Sequence, residues 1–487
     1  MKNEISKLYP TDLWNNFYQL TQIPRPSKHE AKVVEYLKEF GKSLGLEVKT
    51  DKVGNVIISK PATKGFENRI GVILQGHVDM VPQKNSDKIH NFETDPLELQ
   101  VVDGWVKANG TTLGSDNGIG VAAAMAVLQS TTIEHGPIEA LFTIDEETGM
   151  TGAFGLQPNL LSGNILMNLD SEDEGELYVG CAGGTNANIE FIYNEVEVPK
   201  GMVGFKLSLT GLKGGHSGLD IARGRGNANK LIFRFIKFAV SQLGARLASI
   251  DGGNMRNAIP REAFATIAIP QREVAILKRT VTEFESIYKS EFGSVEPNIN
   301  FKAEPCETPT TLIHEMVQDD LINAIQVCPN GAMRMNTDME GLVETSTNLA
   351  IVKSSNGKIK VLCLLRSSVD TAKDDLESSF ESLFSLAGAS IVFDGQYPGW
   401  QPNLNSPILK VLKDTYHNLY GKTPAVKAIH AGLECGILGS IYPKWDMISF
   451  GPNIRFPHSP DEKVEIEGVG KFWDFLIEAL KNVPSKS

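Results

Sequence analysis

Three short stretches of the chain are almost uninterrupted apolar runs: "RIGVILQG" from Arg69, "IEALFTI" from Ile138 and "NILMNL" from Asn164. A strand without alternation of polar and apolar residues has both of its faces covered. These runs therefore require a sheet with helices on either side. Between the first two lies "NGIGVAAAMAVLQS", rich in Ala, Leu and Met and long enough for a helix. The βαβ rhythm predicts a mostly parallel sheet sandwiched between helices.

The rhythm breaks near "ELYVGCAGGT", where glycines punctuate the chain. Beyond it, "VGFKLSLTGL" alternates apolar and polar residues, so one face is solvated or docked. "NANKLIFRFIKFAVSQL" and "REVAILKRTVTEFESIYKSEF" read as helices and "AFATIAIP" as a strand. "TNLAIVKSSNGKIKVLCLLRSS" reads as a hairpin turning at Asn-Gly, and "DDLESSFESLFSLAG" as a further helix. "DGQYPGWQPNLNSP" reads as a turn-rich return. After it, "SPILKVLKDTYHNLYG", "AGLECGILGS" and "WDMISFGPN" resume the first pattern. The expected architecture is α/β. A three-layer catalytic domain with a mostly parallel central sheet comprises residues 1–184 and 396–487. An α+β lid domain with antiparallel sheet is inserted at 185–395.

Sites in open α/β sheets gather at the carboxyl ends of the strands. "RIGVILQG" is followed by His77 and Asp79, "IEALFTI" by Asp145, Glu146 and Glu147, and "NILMNL" by Asp170. Asp116 precedes the Ala-rich helix, and His458 follows "WDMISFGPN". Each alone is weak; a lone Asp before a helix is usually a cap. Together they place two imidazoles and several carboxylates where one cleft would collect them. That donor set suits divalent metals, and two such cations would relieve the repulsion among the acids. His77 and Asp79 sit two apart on extended chain and so share a side. Metal-bound imidazoles commonly give their free N–H to a carboxylate, which makes Asp79 the orienter of His77. Adjacent Glu146 and Glu147 point apart, so one can bind metal while the other serves as general base.

Composition narrows the partners. The formal net charge is −12 over 487 residues. Nucleic acid is thereby disfavoured, since phosphate backbones are met by clustered Lys and Arg. "MKNEISKLYP" lacks the apolar core of a signal peptide. The longest apolar run, "IGVAAAMAVL", is well short of a membrane span. Cys181, Cys306, Cys328, Cys363 and Cys435 are odd in number, widely spaced and without a CxxC, as expected of reduced thiols in a cytoplasmic protein.

In this order, "GHVDMV", "GSDNGIG", "DEETGMTGA", "NLDSE" and "PHSPDE" resemble the motif set of the co-catalytic zinc metallopeptidases, the family that includes aminoacylases, acetylornithine deacetylase and bacterial dipeptidases. The likeness spans the whole chain. "GGHSGLDI" and "AIHAGLECG" place it nearest the branch that cleaves aminoacyl-histidine (Xaa-His) dipeptides such as β-Ala-His. The resemblance implies that His77 and Asp170 hold one metal, that Glu147 and His458 hold the other, and that Asp116 bridges both. It makes Asp79 the orienter of His77 and Glu146 the general base, and it implies a cis peptide between Asp116 and Asn117. In the inserted domain it implies that His216 stabilises the oxyanion, and that Asn257, Arg366 and the backbone at Gly432 bind substrate near its carboxylate. The implied cofactor is two divalent ions, zinc first, with cobalt and manganese tolerated by the same donors. The implied partner is a small peptide. A monomer and a homodimer both remain open, because His216 could be supplied within one chain or across a dimer. His29, His90, His135, His314, His417 and His430 receive no role.

Three other readings stand beside this one. The first is a related amide hydrolase of the same family, such as an N-acyl amino acid deacylase, a deacetylase or an aminotripeptidase. The second is a two-metal phosphoesterase, disfavoured by the lack of arginines near the metal residues. The third is a non-enzymatic metal-dependent interaction protein, which would have no use for Glu146.

Overall fold

The apolar runs form the centre of an eight-stranded sheet in a computed structural model that describes residues 2–486. Four strands lie side by side in the order Ile138–Thr143 (β2), Val72–His77 (β1), Ile165–Asn168 (β3) and Asp446–Ser449 (β4). They run parallel, with His77 opposite Thr143 and Gln75 opposite both Leu141 and Asn168. Glu47–Thr50 and Val56–Lys60 continue the sheet antiparallel beyond β2. Glu176–Cys181 and Ala425–Ile429 extend it beyond β4. Every residue of β1, β2 and β3 is buried, as a covered sheet requires.

The helix Ser115–Gln129 (α1) is buried throughout from Asn117 to Leu128, which its all-round apolar sequence demands. Its first turn is irregular, with Asp116 and Asn117 in non-helical conformations and a cis peptide between them. The Asn117 side chain donates to the Leu169 carbonyl at 2.6 Å and fills the space where a Cβ on Gly76 or on Gly120 would project. Glycine at these two positions lets one carboxamide sit between the end of β1, just before His77, and the end of β3, just before Asp170.

The chain divides into two compact units. The first comprises Met1–Gly180, Pro402–Ala428 and Leu433–Ser487; the second comprises Cys181–Gln401 and Ile429–Gly432. The second unit is built on a nine-stranded sheet whose recorded pairings are antiparallel. Alternate residues of its strands, such as Phe205, Leu207 and Leu209, enter one continuous core. Into the same core go Phe235 of Ala228–Leu243, Leu277 of Val274–Phe292, Leu321 of Glu315–Val327, and Phe380 of Asp370–Leu386. Asn227 caps the first of these helices by accepting from the Lys230 N–H at 3.2 Å, a contribution of about 1 kcal/mol. The hairpin turns at Asn356 and Gly357, both at positive φ, as Asn-Gly prescribes.

Three details depart from the sequence reading: the second unit runs from Cys181 to Gln401 rather than from 185 to 395, and two segments group or fold otherwise. Residues 429–432, placed there with 396–487, group with the second unit, where the Ala182 N–H donates to the carbonyls of Ile429 and Ala431. The beginning of "DGQYPG" is not a return loop but the end of the strand Ser390–Tyr397. A register shift between Asp394 and Tyr397 absorbs Gly395, and pairing to Gly183–Ile192 continues through it.

Candidate metal centre

Five of the sequence-derived positions converge at the carboxyl ends of the parallel strands of the first unit. His77 ends β1 and is 1% exposed. Its Nε2 lies 3.1 Å from Asp116 Oδ1 and 3.4 Å from Asp170 Oδ1. His458 Nε2 lies 3.2 Å from the other Asp116 oxygen and 3.0 Å from Glu147 Oε2. Two sets of donor atoms share Asp116, His77 with Asp116 and Asp170, and Asp116 with Glu147 and His458; a third overlaps them, His77 with Glu146 and Glu147. One Asp116 oxygen faces each of the first two. His458 is held at φ 59°, a conformation uncommon outside glycine.

Asp79 lies behind this pair of triads. Its Oδ1 is 3.3 Å from His77 Nδ1, on the far side of the ring from Asp116. It also accepts from the backbone N–H groups of Glu146 and Glu147 at 3.0 and 3.2 Å and from the Ser27 hydroxyl at 2.8 Å. One carboxylate thus lies against the ring of His77 and holds by hydrogen bonds the turn that presents the two glutamates. Burial pushes the Asp79 carboxyl up, but His77 and these donors outweigh it and hold it at about 2.

The other titrating groups are shifted by burial and by one another. Burial raises Glu146 well above the usual carboxylate range, with Asp170, Glu434 and Glu147 adding to the effect against His77. Burial likewise lifts Asp170 to about 7. Hydrogen bonds to Asp116 and Glu147 push His458 up to about 11. Burial opposes the charged form of His77, but Asp170, Asp116 and Asp79 prevail and raise it. Glu147 Oε1 is buried without a hydrogen-bond partner. The donor chemistry, the shared aspartate and this unsatisfied oxygen fit a pair of divalent cations.

Asp145 has a different task. It sits at φ 51°, accepts from the hydroxyls of Thr148 and Thr151, and gives its own N–H to Glu30 Oε1 at 3.2 Å. It therefore shapes the turn after the glutamates through threonine hydroxyls. Sequence reading missed Arg25, which is 2% exposed and donates to the carbonyls of Val78, Asp79 and Gly114 at 2.8, 3.0 and 2.5 Å. It lies far upstream in "PRPSKHE", and only the fold brings it under the site.

Residues 73–482 match the family described as Peptidase family M20/M25/M40. This chain belongs to that family. It is 47% identical over 484 residues to the cytosol non-specific dipeptidase of Escherichia coli (strain K12), covering 99% of this chain and 100% of the relative. The crystal structure of aminoacylhistidine dipeptidase from Vibrio alginolyticus superposes with a TM-score of 0.95, at 48% identity and 99% coverage of both chains. A tripeptidase from Staphylococcus aureus shares the fold at 18% identity and a TM-score of 0.56, over 98% of this chain and 99% of that one.

In the second unit of this M20-family chain, His216 Nδ1 accepts from the N–H groups of Gly218 and Leu219 at 3.2 and 3.1 Å. That leaves the ring proton on Nε2, a donor. Burial, with Arg366, pushes the His216 imidazole down and keeps it neutral. Asn257 is exposed, and its carbonyl accepts from the Ser217 N–H at 2.8 Å beside that ring. Arg366 is not on the surface, as a hairpin position suggests by default, but 6% exposed, with Nη1 donating to the Tyr397 hydroxyl at 2.8 Å. Gly432 closes the short segment that carries His430. His430, given no role from sequence, is buried with Nε2 2.7 Å from the Ser346 hydroxyl. Burial, then Arg366 and His216, push its imidazole down to about 3. Its place in "AIHAGLECG" beside Gly432 was the one available signal.

Proposed function

We propose that this M20-family peptidase is a dinuclear-metal dipeptidase acting on Xaa-His dipeptides such as β-Ala-His. The observation that carries the reading is the pair of donor triads sharing Asp116, with Glu146 beside them on the turn fixed by Asp79. His77 and Asp170 would hold one divalent cation, Glu147 and His458 the other, and Asp116 both. Zinc is the first choice and cobalt or manganese the alternatives. Such cations supply Lewis acidity, polarising a carbonyl and making water more acidic.

The chain's own residues do the rest. Glu146 takes a proton from the attacking water and returns it to the leaving amine. Burial raises this carboxyl above the ordinary carboxylate range, towards the pH at which a group can both take and give a proton. Asp79 holds His77 in one ring orientation and keeps Glu146 on its turn. His216, with its proton on Nε2, donates to the developing oxyanion, a role worth about 2.7–4 kcal/mol where such donors have been removed. Asn257, Arg366 and the backbone at Gly432 bind the substrate near its carboxylate. Cytoplasmic residence belongs to the same proposal. It is supported by the absence of disulfides among the described residues and by the cytosolic name of the Escherichia coli relative. Among the described residues no helix is long and apolar enough to cross a membrane.

A panel assay tests the reading. Zn²⁺-loaded protein is given β-Ala-His, other Xaa-His dipeptides, dipeptides without histidine, tripeptides, N-acetyl amino acids and a phosphodiester. The expected result is turnover confined to dipeptides, with kcat/KM highest for Xaa-His. Equal rates on all dipeptides would support the breadth in the Escherichia coli relative's name and overturn the histidine preference. Preference for acetyl amino acids, tripeptides or the phosphodiester would overturn the dipeptidase reading itself.

A further inference from the structure

Glu462 lies four residues beyond His458 and is 2% exposed. Its Oε2 accepts from the backbone N–H groups of Leu113 and Gly114 at 2.7 and 3.0 Å. Its Oε1 accepts from the N–H of Ser115 at 2.7 Å, the Ser115 hydroxyl at 2.6 Å and the N–H of Asp116 at 3.3 Å. Four consecutive amides of the loop that delivers Asp116 thus converge on one carboxyl group carried by the segment that delivers His458. The same loop is also held by Arg25, which donates to the Gly114 carbonyl at 2.5 Å. Gly114, at φ 65°, has no room for a side chain there: a Cβ would fall 2.6 Å from the Arg25 guanidinium.

We propose that Glu462 is a positioning residue for the metal centre: it ties the Leu113–Asp116 loop to the His458 segment and so sets Asp116 against His458 and Glu147. Both oxygens of Glu462 accept from the loop, and Glu462 belongs to none of the donor sets of the site. The inference rests on the two-cation reading above.

Substitution by Gln keeps one acceptor oxygen and places an NH₂ donor against two backbone N–H donors, which forces the loop away. The test measures Zn²⁺ dissociation constants by chelator competition on the metal-free parent, Glu462→Gln, Glu462→Asp and a control, Glu139→Gln. Glu139 is also buried and also accepts two backbone N–H groups, from Ser162 and Gly163 at 2.8 Å each, but lies at the opposite, amino end of β2. Thermal unfolding of each metal-free protein is measured alongside.

The expected result is Zn²⁺ binding weakened about 10- to 100-fold in Glu462→Gln, less in Glu462→Asp, and unchanged in Glu139→Gln. Parental affinity in a folded Glu462→Gln, or an equal loss in Glu139→Gln, overturns the proposal. Should Glu462→Gln fail to fold, Glu462→Asp decides by the same criterion: weaker binding supports positioning, and parental affinity overturns it. If the parent itself binds no Zn²⁺, it is the metal reading that fails.

Discussion

Asp79 shows how much of the site depends on a side chain that need touch no substrate. Its two oxygens serve His77, the amides of Glu146 and Glu147, and Ser27. Asp79→Asn would keep the shape but replace one acceptor with a donor, opposing either His77 and the Glu146 N–H or the Glu147 N–H and the Ser27 hydroxyl. The expected outcome is a loss of about 10- to 100-fold in metal affinity or turnover with the fold intact, measured by Zn²⁺ titration and kcat on one preparation. At this scale the sequence was informative wherever chemistry follows chain order. Two residues of extended chain place Asp79 beside His77; adjacency did not part Glu146 from Glu147, whose carboxylate oxygens lie within 4.8 Å of each other and of a His77 ring nitrogen. Arg25, Glu462 and His430 were not legible, because their partners are backbone groups or side chains far away in the chain. Asp145 was visible, but its threonine partners at 148 and 151 depend on a turn that only the folded chain defines.

At the scale of elements, a polar network crosses the parallel strands just below the site. Glu434, first residue of the helix Glu434–Ile441, accepts from Gln75 of β1 at 2.6 Å and from the Thr143 hydroxyl of β2 at 2.8 Å. Gln75 in turn accepts from Asn168 of β3 at 2.6 Å, and Asn168 accepts from Ser449 of β4. These polar residues close the apolar runs, and their partners are on different strands, so the runs alone gave no hint of the network. Burial pushes the Glu434 carboxyl from its ordinary 4.5 up to about 7. A carboxyl raised by folding stabilises the fold while protonated. That contribution is complete below about 4.5 and is lost as pH rises through about 7. The slope is at most about 1.4 kcal/mol per pH unit. Glu434→Gln removes this titration, so the melting temperature of the metal-free variant minus that of the parent should rise with pH across this window. A flat difference would show that Glu434 does not titrate there. The elements most legible in advance were the covered strands and the Asn-Gly hairpin. The strand through Gly395 was not, because a register shift hides a strand behind turn-forming residues.

At the scale of the whole molecule, the α/β plan with an α+β insertion follows from one change in hydrophobic rhythm, read at "ELYVGCAGGT". What could not be read is that four residues, Ile429–Gly432, belong with the second unit while the chain on both sides belongs with the first. No break in composition marks so short an excursion; backbone bonds from Ala182 do. The whole chain, both units included, matches dipeptidases of two bacteria at 47% and 48% identity. Glu146 is proposed to move the proton while five other side chains hold the cations. The direct measurement is hydrolysis of β-Ala-His by Glu146→Gln loaded with Zn²⁺, with bound Zn²⁺ counted on the same sample. The expected result is two ions per chain and turnover lower by about 10²- to 10⁴-fold. Two bound ions with the parent's turnover would contradict the account.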